Sequence, residues 1–455
     1  MTAANHMQSR WTGRMGFVFA AAGSAVGLGN IWKFPYILGE SGGGAFMLIY
    51  LACLLLIAAP ILLSEILLGK RAHANPITGM QKLSRRNQVS QLWQVIGWLG
   101  VLTGFMILSF YVVVMGWSLA YTVEALRGGF VQTDAEQVGG FFSSLQERPG
   151  LILFWMSVAM FMTVAIVALG VNRGIERATR LMVPLLVVLL VILAVLNINT
   201  DGFSQAIHFM FAPDFSQVTA QTVLVALGHA FFTLSLGMGA IMAYGAYLPE
   251  KTSLAQVAGW VLLLDTGIAV LAGIVIFPLV YSHGLSPEEG AGLVFLTLPL
   301  ALESFYWPYL LGVLLFGLVS VAAWTSSISL LEPTTAYMEQ RFGLKRVIGA
   351  VSVGFVIWCL GVLAALSFNV LAPATVFGMS IFDFLAFIST SFMLPLGGML
   401  LSLFAVWKLS REESFGHLGL APWAYQTWRV LAGVVAPVCV VLIFIASLGL
   451  FGLSL

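Results

Sequence analysis

A chain of 455 residues that is 60% hydrophobic and only 9% charged stands far from soluble domains, where about 25% of residues are charged. The formal net charge of +1 argues against a nucleic-acid partner, and three cysteines scattered through apolar runs argue against a disulfide framework or a metal site. No metal-spaced His/Glu cluster, nucleophile elbow or phosphate loop points to an enzyme.

Eleven apolar runs approach or exceed the roughly 20 residues needed to cross a bilayer. They cover about 15–38, 43–69, 92–125, 151–170, 179–197, 222–247, 255–281, 305–339, 347–366, 377–408 and 426–453. The expectation is an all-α polytopic membrane protein of about 11 transmembrane helices, folded as a single domain over 1–455. All of the 20 lysines and arginines except Lys33, Arg127 and Arg148 flank the runs on one side. The positive-inside rule then puts the N-terminus in the cytoplasm and the C-terminus outside. The first run is too polar at its centre for a cleavable signal peptide. The longest connection, Arg127 to Gly150, falls outside.

The first run breaks the pattern. Ala21 to Tyr36 reads AAGSAVGLGNIWKFPY, and Gly23, Gly27 and Gly29 each weaken a helix by about 1 kcal/mol relative to alanine. A similar interruption, FFTLSLGMGAIMAY, occupies Phe231 to Tyr244 in the sixth run. Within a bilayer, opened backbone is tolerated only where protein or a watery cavity satisfies it, so two broken spans in corresponding halves mark a transporter's central site. Ionisable residues inside spans are functional candidates by default. Lys33, Glu65, His229, Asp265 and Asp383 qualify, each with a buried structural hydrogen bond as the alternative.

These residues also carry a family resemblance. GSAVGLGNIWKFPY followed by GGGAF at Gly42 to Phe46 resembles the first two helices of the neurotransmitter:sodium symporters. FFTLSLGMG at Phe231 resembles their sixth helix, and TSSISLLEP at Thr325 to Pro333 their eighth. Gly174 and Pro184 match the motif that opens their fifth. The order is that of the family from about Trp11 to Asp383. The resemblance implies two five-helix inverted repeats with discontinuous helices 1 and 6: repeat one about 15–197, repeat two about 222–408, and helix 11, about 426–453, outside the core.

The resemblance further implies one sodium site from the carbonyls of Gly23, Val26 and Ala322 with the hydroxyls of Thr325 and Ser326. Packing hydroxyls bonded to their own helix are the alternative for that Thr-Ser pair. A second sodium site is implied by the Ala25 carbonyl, Asn30, Thr233 and Asp265, where many relatives have asparagine in place of Asp265. In chloride-dependent relatives the anion site falls at Tyr50, His229 and Ala269. Ala269 lacks a hydroxyl and Asp265 supplies a fixed negative charge, so chloride independence is expected. His229 beside Asp265 leaves proton release open, with a neutral histidine as the other reading.

The implied cargo is a neutral hydrophobic or aromatic amino acid. Its carboxylate is expected at Gly27, the Leu28 and Gly29 amides and the Tyr111 hydroxyl. Carbonyls near Ser24, Phe232 and Thr233 with the Ser326 hydroxyl take its ammonium. Ala25 adjoins this pocket, and Ile107, Phe232, Ser235, Met238 and Leu330 line its side-chain end. Lys33 and Asp383 match an outer gate, Tyr111 and Phe232 a lid, and Ser286 to Leu302 an outer loop. At the inner gate Arg10, Glu339 and Gln340 fit the family pattern less well, while Gly174 to Pro184 is expected to unwind. A sodium symporter is the reading; a proton-coupled permease of the same fold and a non-transporting sensor remain as alternatives.

Overall fold

Backbone polar groups in a bilayer have no water to bond, so an apolar chain of this kind must satisfy them within helices. The structure, a computed structural model, describes residues 11–131, 134–282, 293–302 and 307–447. Among these are 9 helices long and apolar enough to cross a membrane, and a bent pair makes up to 10. The bent pair is α1 (Arg14–Ala25) and α2 (Gly29–Glu40), set at 48° to one another. There follow α3 (Gly44–Ala72), α4 (Gln91–Leu126), α5 (Pro149–Ala168) and α6 (Val171–Asn197). The sixth run is divided into α7 (Ala220–Thr233) and α8 (Ala240–Gly245), each too short to span alone. The remainder are α9 (Leu254–Ser282), α10 (Pro308–Phe342), α11 (Arg346–Leu366), α12 (Ile381–Trp407) and α13 (Pro422–Ile445).

The apolar runs therefore mark the helices well, with differences that have local causes. Helix α6 starts at Val171, earlier than the apolar run, because a wide turn over Val171–Glu176 carries polar residues. Residues 375–380 precede α12 as a small hairpin of β1 (Thr375–Val376) and β2 (Met379–Ser380). Phe377 and Gly378 at its tip both have positive φ, as a tight two-residue turn requires. The connection from Arg127 to Gly150 contains its own helix, Ala135–Glu147, capped by Asp134.

Helices α10 and α4 form the centre. In their most apolar stretches 72% and 78% of residues are buried, against 28% for α6 and 33% for α5 and α13 at the rim. Helix α10 packs against α1, α4, α5, α6 and α11, and α1 also packs against α9. The short α8 sits against α3, and α13 lies against α12 at the periphery. Both broken spans thus lie inside a ring of continuous ones. One face of the molecule carries Trp11 and the other carries Lys33; they are called the N-terminal and the opposite face below.

Candidate central transport site

The first break is short. Val26 is extended, with φ −80° and ψ 95°, between the last turn of α1 and the wide first turn of α2. Gly27 is required by space. A Cβ there would lie 2.1 Å from Ser326 Oγ and 3.0 Å from the Tyr111 hydroxyl. The second break is opened backbone between α7 and α8, with positive φ at Ser235, Gly237 and Gly239. At Gly237 a Cβ would fall 2.4 Å from the Leu394 carbonyl, so only glycine fits. Glu65 of α3 holds this opened backbone: its carboxylate accepts from the Gly237 amide at 3.0 Å and the Met242 amide at 3.3 Å.

Between the two breaks lies a small cavity. Ser24, Ala25, Gly27, Gly29, Ile107, Tyr111, Phe232, Ser235, Met238, Ser326 and Leu330 line it, together with Ser329, which sequence reasoning did not single out. The Leu28 amide donates to the Tyr111 hydroxyl at 3.3 Å, and the Ser24 carbonyl accepts from Ser235 Oγ at 2.8 Å and Ser326 Oγ at 3.3 Å. Gly29 packs its Cα side against the Phe232 ring.

Beside this cavity, Asp265 of α9 is fully buried. Its Oδ1 accepts from Asn30 Nδ2 at 2.8 Å and from Thr233 Oγ1 at 2.8 Å, and its Oδ2 from the Tyr50 hydroxyl at 3.4 Å. Asn30 Oδ1 in turn accepts the Gly27 amide at 3.3 Å. One carboxylate therefore joins the two broken spans to α3 and α9. His229 makes no hydrogen bond to it. Its ring lies 5.3 Å from Tyr50 and 5.7 Å from Phe34, with neither nitrogen hydrogen-bonded among the described residues. Ala269 is buried on α9 one turn beyond Asp265.

On the far side of α1, Thr325 Oγ1 donates to the Ala322 carbonyl at 2.9 Å and to the Val26 carbonyl at 3.3 Å. A Cβ on Gly23 would approach Thr325 Cβ at 3.5 Å, with Val183 and Thr179 of α6 closer still. The structure thus brings Gly23, Val26, Ala322 and Thr325 together, with Ser326 facing the cavity instead. Hard oxygen ligands of this kind suit a sodium ion.

A larger cavity opens toward the opposite face, lined in part by Lys33, Tyr36, His229 and Phe232. Phe232 lines both cavities and so divides them. Lys33 and Asp383 are not paired here. Lys33 Nζ stands 4.4 Å from the centroid of the Phe232 ring, and Asp383 Oδ2 accepts from Ser380 Oγ at 2.6 Å. The ring's negative face offers the ammonium an alternative partner. Of the outer loop, 286–292 lies outside the described residues, while the Phe295 carbonyl accepts from the Tyr121 hydroxyl at 2.7 Å.

At the N-terminal face the contacts differ from those expected. Arg10 lies outside the described residues. Glu339 pairs with Arg346 at 3.3 Å, and Gln340 Oε1 accepts from the Asn75 side chain at 2.7 Å. The centre of this face is Glu332, fully buried, which pairs with Arg346 and accepts from the Tyr247 hydroxyl at 3.3 Å. Trp11 is buried over it, donating from Nε1 to the Tyr244 carbonyl at 2.9 Å. Thr12 and Arg180 both bond Glu176 at the start of α6. Beyond the spans, slight burial pushes the Glu250 carboxyl up, but the facing His73 ring, Lys70 and His417 outweigh it and hold the carboxyl below its ordinary range. Gly174 and Pro184 both lie within α6, which is helical between them.

Comparison with known proteins agrees with this geometry. The profile of the sodium:neurotransmitter symporter family matches residues 8–138 and 132–452. The chain is 35% identical to an uncharacterized sodium-dependent transporter, YhdH, of Bacillus subtilis (strain 168), over 97% of this chain and 98% of that one. It is 31% identical to an uncharacterized sodium-dependent transporter of Haemophilus influenzae, over 98% and 100% respectively. The crystal structure of MhsT in complex with L-phenylalanine matches with a TM-score of 0.89 at 41% identity, covering 96% of this chain and 99% of that chain. Two broken spans meeting at one buried carboxylate, in a chain with these relatives, identify a multi-pass membrane transporter: the chain belongs to the sodium:neurotransmitter symporter family.

Proposed function

We propose that this protein is a sodium-coupled symporter that accumulates neutral hydrophobic or aromatic amino acids by alternating access. The observation that carries the reading is the cavity between the broken spans, closed over by Phe232 and flanked by the Asp265 cluster. Gly27, the Leu28 and Gly29 amides and Tyr111 receive the cargo's carboxylate, while carbonyls at the two breaks and Ser326 receive its ammonium. The apolar wall of Ile107, Met238 and Leu330 suits an uncharged side chain, and MhsT's complex with L-phenylalanine supports cargo of that class. One sodium ion takes the carbonyls of Gly23, Val26 and Ala322 with the Thr325 hydroxyl, and a second takes Ala25, Asn30, Thr233 and Asp265.

Sodium supplies the driving force. A tenfold gradient is worth about 1.4 kcal/mol, and a potential of 100 mV adds about 2.3 kcal/mol per charge. Each ion then supports accumulation of a few hundredfold. The fixed charge of Asp265, with Ala269 in place of a hydroxyl, makes transport independent of chloride. The basic Trp11 face is cytoplasmic, the C-terminus lies outside, and the repeats run about 15–197 and 222–408. Trp11 and the Glu332–Arg346 pair close the inner side, while Phe232 under Lys33 closes the outer.

Uptake of labelled neutral amino acids into proteoliposomes, with gluconate replacing chloride, tests this reading. Accumulation is expected only with an inward sodium gradient. Accumulation driven by a pH gradient without sodium would replace the reading with a proton-coupled permease, and saturable binding without flux would replace it with a sensor.

A further inference from the structure

Four serines line the central cavity, and all four direct their hydroxyl protons at the protein. Ser235 Oγ donates to the Ser24 carbonyl at 2.8 Å and Ser326 Oγ donates to the same carbonyl at 3.3 Å. Ser24 Oγ donates to Ser329 Oγ at 2.8 Å, and Ser329 Oγ donates to the Ser326 carbonyl at 2.8 Å. A hydroxyl has one proton and two lone pairs, so this wall offers cargo acceptors alone. Among the described residues Ser24 Oγ accepts no hydrogen bond, although Ser24 is only 2% exposed and Ser329 1%. Buried acceptors of that kind favour a ligand that brings a donor and disfavour one that leaves them dry.

The Ser24–Ser329 pair is also displaced along the cavity. Ser24 lies in the last turn of α1, three residues before Gly27 across the break, and Ser329 follows Ser326 on α10 by three residues, or about 4.5 Å of helix. Both steps run toward the N-terminal face, away from the Leu28–Tyr111 contact. The pair therefore stands apart from the groups that receive the cargo's carboxylate, next to Leu330 in the apolar wall.

Resting on the amino-acid reading above, we propose that the Ser24–Ser329 hydroxyl pair is a separate specificity subsite. It accepts a hydrogen bond from an N–H or O–H on the edge of an aromatic side chain. It thereby selects amino acids bearing an indole or phenol over phenylalanine, which presents only C–H there. The rival explanation is that the two hydroxyls simply hold α1 against α10, as small polar residues do between membrane helices.

The experiment is competition by tryptophan, tyrosine and phenylalanine against labelled phenylalanine uptake, under a sodium gradient, in wild type, Ser329→Ala and Ser329→Thr. Wild type is expected to prefer tryptophan or tyrosine over phenylalanine by about three- to tenfold, the range of one neutral hydrogen bond. Ser329→Ala is expected to collapse that ratio toward one, and Ser329→Thr, which keeps the hydroxyl, to restore it. A wild type with no such preference overturns the subsite. So does a Ser329→Ala variant in which all three cargoes weaken by the same factor, the result that helix packing predicts. Either leaves the symporter reading standing. Absence of sodium-driven uptake and of binding for all three amino acids overturns that reading, and this subsite falls with it.

Discussion

Asn30 of α2 grips Asp265 of α9 twice, donating from Nδ2 to the backbone carbonyl at 3.0 Å and to Oδ1 at 2.8 Å. The same Oδ1 accepts Thr233 at the end of α7, so one oxygen senses both broken spans. Asparagine at 265 would retain an acceptor in this position and lose the charge. Hydrogen bonds to charged groups are worth about 1.5–3 kcal/mol. Asp265→Asn is therefore expected to lower sodium-driven uptake by about 10- to 100-fold in chloride-free medium, with partial recovery when chloride is added. Wild-type uptake by this variant in gluconate would remove the fixed charge from the mechanism.

Thr325 tests the other ion site. Valine matches threonine in shape, so Thr325→Val deletes the hydroxyl next to the Ala322 and Val26 carbonyls with little repacking. The expected result is a rise of about tenfold in the sodium concentration for half-maximal uptake, the cost of roughly one hydrogen-bonding ligand. Stability in detergent, followed by thermal unfolding, controls for damage to the α1–α10 contact. An unchanged sodium dependence would assign the hydroxyl to packing alone.

Gly27 and Ser326 form a steric pair. A Cβ at 27 would sit 2.1 Å from Ser326 Oγ but 3.1 Å from Ser326 Cβ. Gly27→Ala alone is expected to abolish measurable substrate binding. Adding Ser326→Ala removes the nearer atom and should recover part of the binding, although Ser326→Ala by itself weakens it. Residues in contact couple by about 0.5–3 kcal/mol in such cycles. Binding by scintillation proximity across the four proteins measures the coupling, and strict additivity would show that the cavity relaxes around the new methyl group.

The glycine runs made the breaks and most of the cavity legible, because a glycine inside a membrane span has few reasons other than space or an unusual backbone. They did not reveal Ser329. A serine at helical spacing from Ser326 looks like any small interhelical residue until its hydroxyl is seen turned toward Ser24. Ion pairs were less legible still. Lys33 and Asp383 fit a familiar spacing, yet Lys33 lies over Phe232, a choice between two partners that sequence spacing cannot express. Glu332 is also a charge inside an apolar run, but its partner Arg346 lies across a chain reversal, which hides the pairing.

Arg346 bridges two acids in different surroundings, which yields a graded prediction at the N-terminal face. Glu332 is fully buried, its other oxygen contact being the Tyr247 hydroxyl, whereas the Glu339 side chain is 33% exposed. Removing one partner of a buried pair strands the remaining charge and costs about 3–5 kcal/mol, while an exposed pair contributes about 1 kcal/mol or less. Glu332→Gln should therefore lower the unfolding temperature markedly and Glu339→Gln barely. Because Tyr247 also supports Trp11 through its carbonyl, at 3.2 Å, Glu332→Gln should in addition loosen the closed N-terminal face. A cysteine placed at Trp11 would then react faster with a membrane-impermeant thiol reagent in the Glu332→Gln background than in the Glu339→Gln background. Equal reactivity in the two backgrounds would mean that the chain at position 11 is held independently of the buried pair.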